Sequence, residues 1–431
     1  MNFNSGNFNR NNNNRYNGQS VRPVSEPTLF PDFCEDSSNY VFADSSITRE
    51  QLLLDLYRAY RKARRHKRYK QYQLQFERNL EMNLVRLRDA IWERRYKPGP
   101  STCFIVRDPK VREVFAASFR DRVVHHLFYN YVCETFESDF IPDSYSCIKG
   151  RGTHYGIARL RQHVLEVSGS FSRPCYVLKM DVKGYFMNIS REKLFTICRK
   201  KLLASPKIAD KNLVDYLLCM IEPLDPTAKC YRIGRIADWK AIPASKSLFC
   251  SKRGYGLPIG NLTSQLFSNV YLGELDNYIS RSLSIGHYGR YVDDFYVVSS
   301  SKSELRRNIP LVRDFLEKEL LLELNLNKTQ IRSAYIGVEF LGAYVKPWRV
   351  YITNSSLHRM LRKVYRLAFV SPIELFRSLN SYLGVLSHYH SYEIRTKNLF
   401  RTAAFSFRTG YYTNKALTYK LKKNFRSDIM G

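Results

Sequence analysis

The chain has 431 residues, 44% of them hydrophobic, and a formal net charge of +30 from 69 Lys and Arg against 39 Asp and Glu. That apolar content excludes a wholly disordered tail and suits two or three packed subdomains, while so large a positive excess repels itself unless a polyanion is present, which points to nucleic acid. The sequence holds no run of about 18 apolar residues and no signal-peptide core, which favours a soluble, cytoplasmic protein over one working on an anionic membrane. The nine cysteines form no CxxC pair and read as reduced thiols rather than as a disulfide framework or zinc site.

Residues 1–28 stand apart: nine of the first eighteen are Asn, a composition that cannot form a core, and the segment is expected to be a disordered leader. A helix is predicted from about Ser46, running into the basic stretch Arg58–Lys70. There Arg61, Arg64, Arg65, Lys67 and Arg68 are interleaved with Tyr57, Tyr60, Tyr69 and Tyr72, and charges of one sign favour contact with a phosphate backbone over a merely solvated face. A short strand follows at Cys103–Val106, then a helical stretch from Val111 to about Phe136, then a Gly-rich loop at Lys149–Gly152 and another basic helix. The apolar run Tyr176–Met180 reads as a buried strand ending at Asp181, and residues 205–255 as a helix followed by a hairpin or loop insert. Apolar residues at 262, 266, 270, 275 and 279 predict a long amphipathic helix over Leu262–Leu283, capped by Asn261. Tyr288–Val298 reads as a hairpin with Asp293-Asp294 at its turn, followed by a helix over 303–322, strands near 337–345 and 350–353, and a basic helical remainder. Strand, helix, hairpin, helix, strand across 175–345 is a ferredoxin-like βαββαβ order.

The acidic residues in this frame suggest phosphoryl transfer, which uses two divalent ions about 4 Å apart to bridge attacking oxygen, phosphorus and leaving group. Magnesium takes oxygen ligands and keeps several waters, so two or three carboxylates are enough. An Asp-Asp pair alone is common in exposed turns. Here apolar strands flank it, and unpaired carboxylates in that setting are costly without a cation. His388-Tyr389-His390 is a weak metal signal and reads better as structural.

Tyr291-Val292-Asp293-Asp294 matches the YxDD box of reverse transcriptases, and Asp181-Val182-Lys183-Gly184-Tyr185-Phe186 resembles their first catalytic box. The resemblance spans roughly residues 50–395 and implies an α+β right-hand polymerase fold: helical fingers over 29–170, a ferredoxin-like βαββαβ palm over 171–350, and a short, basic helical thumb and tail over 351–431. It implies two Mg2+ ions, with Asp181 and Asp293 as principal ligands, Asp294 beside them and the Val182 carbonyl contributing. The implied substrates are template RNA, the cDNA/RNA hybrid and dNTPs. Phe186 falls where the family keeps a ring against the sugar 2′ position, with an ordinary core aromatic as the alternative. Phe104-Ile105-Val106-Arg107 and Arg112-Glu113-Val114 resemble the segment that grips the triphosphate, which makes Arg107 and Arg112 either phosphate ligands or surface arginines. Lys328, in Leu326-Asn327-Lys328-Thr329, resembles the lysine that protonates pyrophosphate, a solvated lysine being the alternative. Phe340-Leu341-Gly342 matches the primer grip.

The most discriminating segment is Gly256-Leu257-Pro258-Ile259-Gly260-Asn261-Leu262-Thr263-Ser264-Gln265. Most of the family carries QGxxxSP here; Ile259 replaces the usual Gln and Gln265 the usual Pro. This IGNxxSQ pattern resembles the reverse transcriptases of diversity-generating retroelements, which implies bacterial or phage origin, errors opposite template adenines, a nucleotide-contacting role for Ile259, Gly260 and Gln265, and a small basic accessory protein that forms a ring. The Asn-rich leader ending in Val21-Arg22-Pro23-Val24 resembles the diversified tails of such elements' target proteins, so the reading frame is expected to begin inside or overlap the template repeat, with residues 1–25 having no function in the enzyme; plain low-complexity sequence is the alternative. Two other readings stay open: a phage-defence or intron-type reverse transcriptase, and a catalytically silent RNA-binding scaffold.

Overall fold

The computed structural model describes residues 46–65, 67–107, 110–222, 225–398, 410–413 and 418–421. The Asn-rich leader therefore lies outside the described residues. In chain order the elements are α1 (Arg49–Ala63), α2 (Gln71–Glu77), α3 (Leu80–Trp92), β1 (Ser101–Val106), β2 (Arg112–Ala116), α4 (Phe119–Asp139), α5 (Thr153–Ser168), β3 (Tyr176–Asp181), α6 (Tyr185–Asn188), α7 (Arg191–Ala204), α8 (Lys211–Ile221), β4 (Cys230–Arg232), α9 (Ile236–Lys240) and α10 (Leu262–Asn277). There follow β5 (Tyr288–Tyr291), β6 (Asp294–Ser299), α11 (Lys302–Glu319), β7 (Gln330–Ser333), β8 (Val338–Phe340), β9 (Ala343–Val345), β10 (Val350–Ile352), α12 (Asn354–Val370), α13 (Pro372–Leu386), β11 (Gly410–Thr413) and β12 (Thr418–Leu421). None of the described helices is long and apolar enough to cross a membrane.

The chain divides into two compact units, one holding the described residues through Pro142 with Val182–Ser282 and Val312–Leu324, the other Asp143–Asp181, Leu283–Leu311 and everything from Asn325. The first unit is mainly helical. Helix α1 starts where the Thr48 hydroxyl accepts from Gln51 N at 3.2 Å, and buries Leu52, Leu56, Ala59, Tyr60 and Ala63 along one face. A small sheet of order β2-β1-β4 accompanies the helices. One expectation is corrected here. Residues 112–116 form a strand instead of opening a helix, because the alternation of Glu113 and Phe115, both buried, matches a period of two and pairs antiparallel with β1. Of the hairpin and the loop expected after α8, the structure has the loop: among the described residues of this insert the one strand is β4, which pairs parallel with β1.

Helix α10 is long as expected but not amphipathic. Twelve of its residues are buried, Ser264, Ser268, Asn269 and Asp276 among them, so it is covered nearly all round. Ser268 Oγ is satisfied within the helix, donating to Gln265 O at 3.0 Å, and the Ser268 carbonyl accepts from Tyr185 Oη at 2.6 Å. Asn261 precedes the helix without capping it, its side-chain oxygen accepting from Ala117 N at 3.4 Å instead.

The second unit is built on an antiparallel four-stranded sheet of order β5-β6-β3-β7. With the strands numbered along the chain, this is the ferredoxin-like arrangement that the βαββαβ order predicts. Val177, Leu178 and Met180 bury both faces of central β3, and α5 packs Ile157, Leu160 and Val164 into the same core as Val177, Tyr296 and Val298. Inside this core Tyr145 Oη meets Tyr296 Oη at 2.8 Å and donates to Asp143 at 2.9 Å, while Arg159 closes on Asp143 through Nε at 2.6 Å and Nη2 at 2.8 Å. The β8–β9 turn places Leu341 and Gly342 at φ +51° and +80°, the double left-handed signature of a tight two-residue hairpin. His388 stacks on His154 at 3.8 Å and His390 Nδ1 bonds the backbone at Val350, so the His-Tyr-His segment is structural. Helices α12 and α13 form a separate small core with Leu367, Leu379 and Leu383.

Gly289, on β5, sits where any Cβ would run into the hydroxyls of Tyr145 and Tyr296. Gly289→Ala is expected to lower unfolding stability by about 2–4 kcal/mol by overpacking and by splitting the tyrosine pair. Thermal and denaturant unfolding followed by circular dichroism measure it, and a change under 0.5 kcal/mol, roughly that of a surface substitution, would show that the core yields there.

Candidate active site

Residues Tyr291 and Asp294 are paired across the β5–β6 hairpin, which leaves a two-residue turn of Val292 and Asp293. Val292 carries φ +56°, a conformation that glycine adopts freely and a β-branched residue resists. Holding it costs about 1–3 kcal/mol, and a buried arginine braces the turn. Arg290 is fully buried; its Nη1 donates to Val292 O at 3.0 Å and its Nη2 to Ser144 Oγ at 3.2 Å. The segment 143–145 is stitched alongside, with Arg290 N donating to Asp143 O and Tyr145 N to Arg290 O, each at 2.9 Å. Asp293 is thus fixed at the tip of the turn, and Asp294 opens the strand beside it.

Asp181 is the last residue of β3 and stands directly opposite Asp294 in the register of the two strands. Two like charges facing each other across a sheet repel, and cations lie on both. Lys328 Nζ donates to both carboxylate oxygens of Asp181 at 2.9 Å, and Asn325 Nδ2 adds a bond to Oδ1 at 3.1 Å. Lys179, two residues before Asp181 on the same strand face, puts Nζ 3.4 Å from Asp294 Oδ1. Among the described residues no cation is so placed on Asp293: burial first and the Asp181 charge second push its carboxyl up to about 6. Burial raises Asp294 as well, against the lowering pull of Lys179.

Among the described residues no three His, Cys, Asp or Glu side chains are gathered into a ready metal cage. The chemistry of the donors nevertheless fits a hard cation. All are oxygens, the Asp293 carboxyl is raised by burial and then by its like-charged neighbour, and a cation, the Lys328 ammonium, already lies on Asp181.

Of the other residues singled out in the sequence, the first unit holds a group around one loop. Leu257 N donates to Phe186 O at 2.8 Å, Gly256 N to Ile189 O at 2.8 Å, and Phe115 N to Ile259 O at 2.7 Å. Gly260, at φ +131°, lies so close to the carbonyl of Phe115 and the side chain of Val114 that no Cβ fits. Ile259, Gln265 and Phe186 are half-buried, Phe186 edge-on to Tyr185 with ring centroids 5.2 Å apart. Arg107 and Arg112 lie at the same end of the β1–β2 hairpin; Arg112 is exposed and Arg107 pairs with Asp238. Val182 is buried just after Asp181. In the basic stretch Arg61, Arg65 and Arg68 are exposed, Arg64 pairs with Glu77 at 3.1 Å, and burial and Arg122 lower the pKa of Lys67.

Sequence patterning missed Arg290, Lys179 and Asn325. Lys179 carried a signal, a lone cation within the apolar run leading to Asp181 and sharing its strand face. Arg290 carried none, since a basic residue beside a turn is ordinarily solvated.

A model of the family described as reverse transcriptase (RNA-dependent DNA polymerase) matches residues 107–345, more than half of the chain. Protein YkfC of Escherichia coli (strain K12) is 24% identical over 321 residues, which cover 66% of this chain and 72% of that protein. Among solved structures, apo telomerase from Candida tropicalis is similar with a TM-score of 0.45 and 13% identity over 72% of this chain and 59% of that one. Telomerase from Candida albicans in complex with a TWJ fragment of telomeric RNA gives 0.40 and 12% over 74% and 61%. The chain spans less than two thirds of the length of these telomerase chains.

The raised Asp293 carboxyl sets a pH dependence for the metal-free chain. The folded state holds its proton up to about 6, the unfolded chain only to about 4, so this group's contribution to stability falls as pH rises across that window. Asp293→Asn is therefore expected to be more stable than the parent above pH 6, with the gain closing toward pH 4. Denaturant melts of both proteins in chelator test this; a gain constant across pH would show that Asp293 titrates normally.

Proposed function

The chain belongs to the reverse transcriptase (RNA-dependent DNA polymerase) family, and on that premise we propose that it copies RNA into DNA at Asp181, Asp293 and Asp294 as the polymerase of a diversity-generating retroelement. Its α+β fold, with the β5-β6-β3-β7 sheet, is that of a right-hand polymerase. The observation that carries the site assignment is the register of Asp181 opposite Asp294, with Asp293 at the tip of the adjoining turn. A scaffold that only bound RNA would have no use for facing carboxylates beside a strained turn.

Asp181, Asp293 and Asp294, with the Val182 carbonyl, are the groups that would hold two Mg2+ ions, which when bound supply Lewis-acid stabilisation of the charge developing in phosphoryl transfer. Lys179 orients Asp294 and opposes the burial that raises its carboxyl. Lys328, whose ammonium lies on Asp181 and is 62% exposed, is the proton donor for departing pyrophosphate. Arg107 and Arg112 bind the triphosphate of the incoming dNTP, for which Arg107 exchanges Asp238 for phosphate oxygens. The Phe186 ring excludes a 2′-hydroxyl. The basic stretch from Arg61 to Arg68 follows the phosphates of the template RNA or its hybrid.

The retroelement assignment rests on the loop from Gly256 to Gln265. The backbone of Ile259 is fixed by its bond to Phe115 N, so what distinguishes this loop is its side chain. Aliphatic Ile259 cannot make the hydrogen bond that an amide would, and one lost polar contact is worth roughly 1–3 kcal/mol of discrimination between nucleotides. Gln265 stands where the helix would otherwise carry proline. A small basic accessory protein fits a chain of this charge if template RNA lies between the two cationic partners.

The test is cDNA synthesis with magnesium on RNA from the chain's own upstream region, with the neighbouring accessory protein, followed by sequencing of the products. Asp293→Asn and Asp294→Asn are each expected to cut synthesis by at least about a thousandfold while RNA binding persists. The parent should place its errors opposite template adenines, and Ile259→Gln should reduce them. Accurate copying by the parent would leave the polymerase and refute the retroelement role, in favour of a defence or mobility function.

A further inference from the structure

Beyond Asp238, which pairs with Arg107, the insert between α8 and α10 carries a surface to which no step of the polymerase reaction has been assigned. Over residues 225–255 it has seven Lys and Arg against two Asp. Residues 231–237 are exposed without interruption, and they include Tyr231 at 65%, Ile233 at 51% and Ile236 at 69%. Such a cluster of large apolar side chains in water marks a contact surface. It is also held firmly. Strand β4 pairs with β1 from Cys230 to Arg232, Ile233 N donates to Cys103 O at 2.9 Å, and the Arg232 guanidinium lies 3.6 Å over the Phe249 ring and 5.4 Å over Trp239. Phe249 in turn packs on Phe115 with ring centroids 5.7 Å apart.

We propose that this surface binds single-stranded RNA, with Tyr231 and Ile236 receiving unstacked bases and Arg232 and Arg235 the adjoining phosphates. Charge decides the occupant. β4 is an edge strand that carries Arg232, with Arg235 three residues on, and cations at an edge resist pairing with another protein's strand, whereas a polyanion gains from both. Unpaired bases offer flat apolar faces to aromatic rings and guanidinium planes, which duplex RNA keeps stacked away. The proposal thus goes beyond copying: the insert would grip single-stranded RNA outside the copied region.

The test uses the full chain and a fluorescein-labelled single-stranded RNA 20 nucleotides long, with the same sequence as a duplex for comparison. Tyr231→Ala combined with Ile236→Ala should weaken single-strand binding about tenfold in fluorescence anisotropy, and leave duplex binding and extension of a short annealed primer–template unchanged. Arg235→Gln, at a side chain 80% exposed and so safe for folding, should reduce the salt slope of single-strand binding by about one. Asp293→Asn should bind like the parent, so a failed polymerase assignment remains distinguishable from a failed RNA surface. Unchanged affinity and salt slope in both variants would overturn the proposal. So would unchanged RNA affinity with loss of self-association in sedimentation, which would make the surface a protein contact.

Discussion

Everything at the acidic cluster depends on the bond from a buried guanidinium to one carbonyl in a two-residue turn. Val292 is held in a left-handed conformation that its branched side chain disfavours, and Arg290 secures it by donating to its oxygen. A buried arginine is expensive unless its donors are used; here they reach the turn on one side and Ser144 on the other. The same bonds that satisfy the charge also determine where Asp293 projects. Strain and burial, each unfavourable alone, are tolerated because they are tied together.

The second organising constraint is electrostatic. A sheet that sets Asp181 against Asp294 in register creates repulsion at the point where the chain must stay ordered. Lys328 and Asn325 answer it at Asp181 and Lys179 at Asp294, while Asp293 is left with a raised carboxyl. A site balanced in this way favours any added positive charge, which suits an enzyme that works with divalent cations and handles polyphosphates.

Much of this was legible in the sequence because it is written in periodicity. The strand ending at Asp181, the hairpin around Asp293 and Asp294, and the βαββαβ order all follow from apolar runs broken by acids or turn residues. Where patterning failed, a tertiary partner made the decision. The segment 112–116 has enough apolar residues for a helix, yet β1 offers it a ladder. The polar residues of α10 suggest a wet face, but they are buried, and Ser268 turns its hydroxyl back onto a carbonyl of the helix itself. Asn261 looked like a cap because it precedes a helix, and its oxygen went instead to Ala117 N. Arg290 could not be found at all, since nothing local distinguishes a buried arginine from a solvated one.

The close approach at Gly260 has a consequence for engineering this loop. With the Phe115 carbonyl and Val114 filling the space where a side chain would begin, and φ at +131°, position 260 admits only glycine. The backbone of its neighbour Ile259 is anchored through the carbonyl, a bond that does not depend on which side chain stands there. A library that randomised the whole loop would spend most of its members on unfolded chains. Variation confined to 259 and 265 would keep the scaffold intact and sample side-chain chemistry alone, making the loop a two-site dial in a fixed frame.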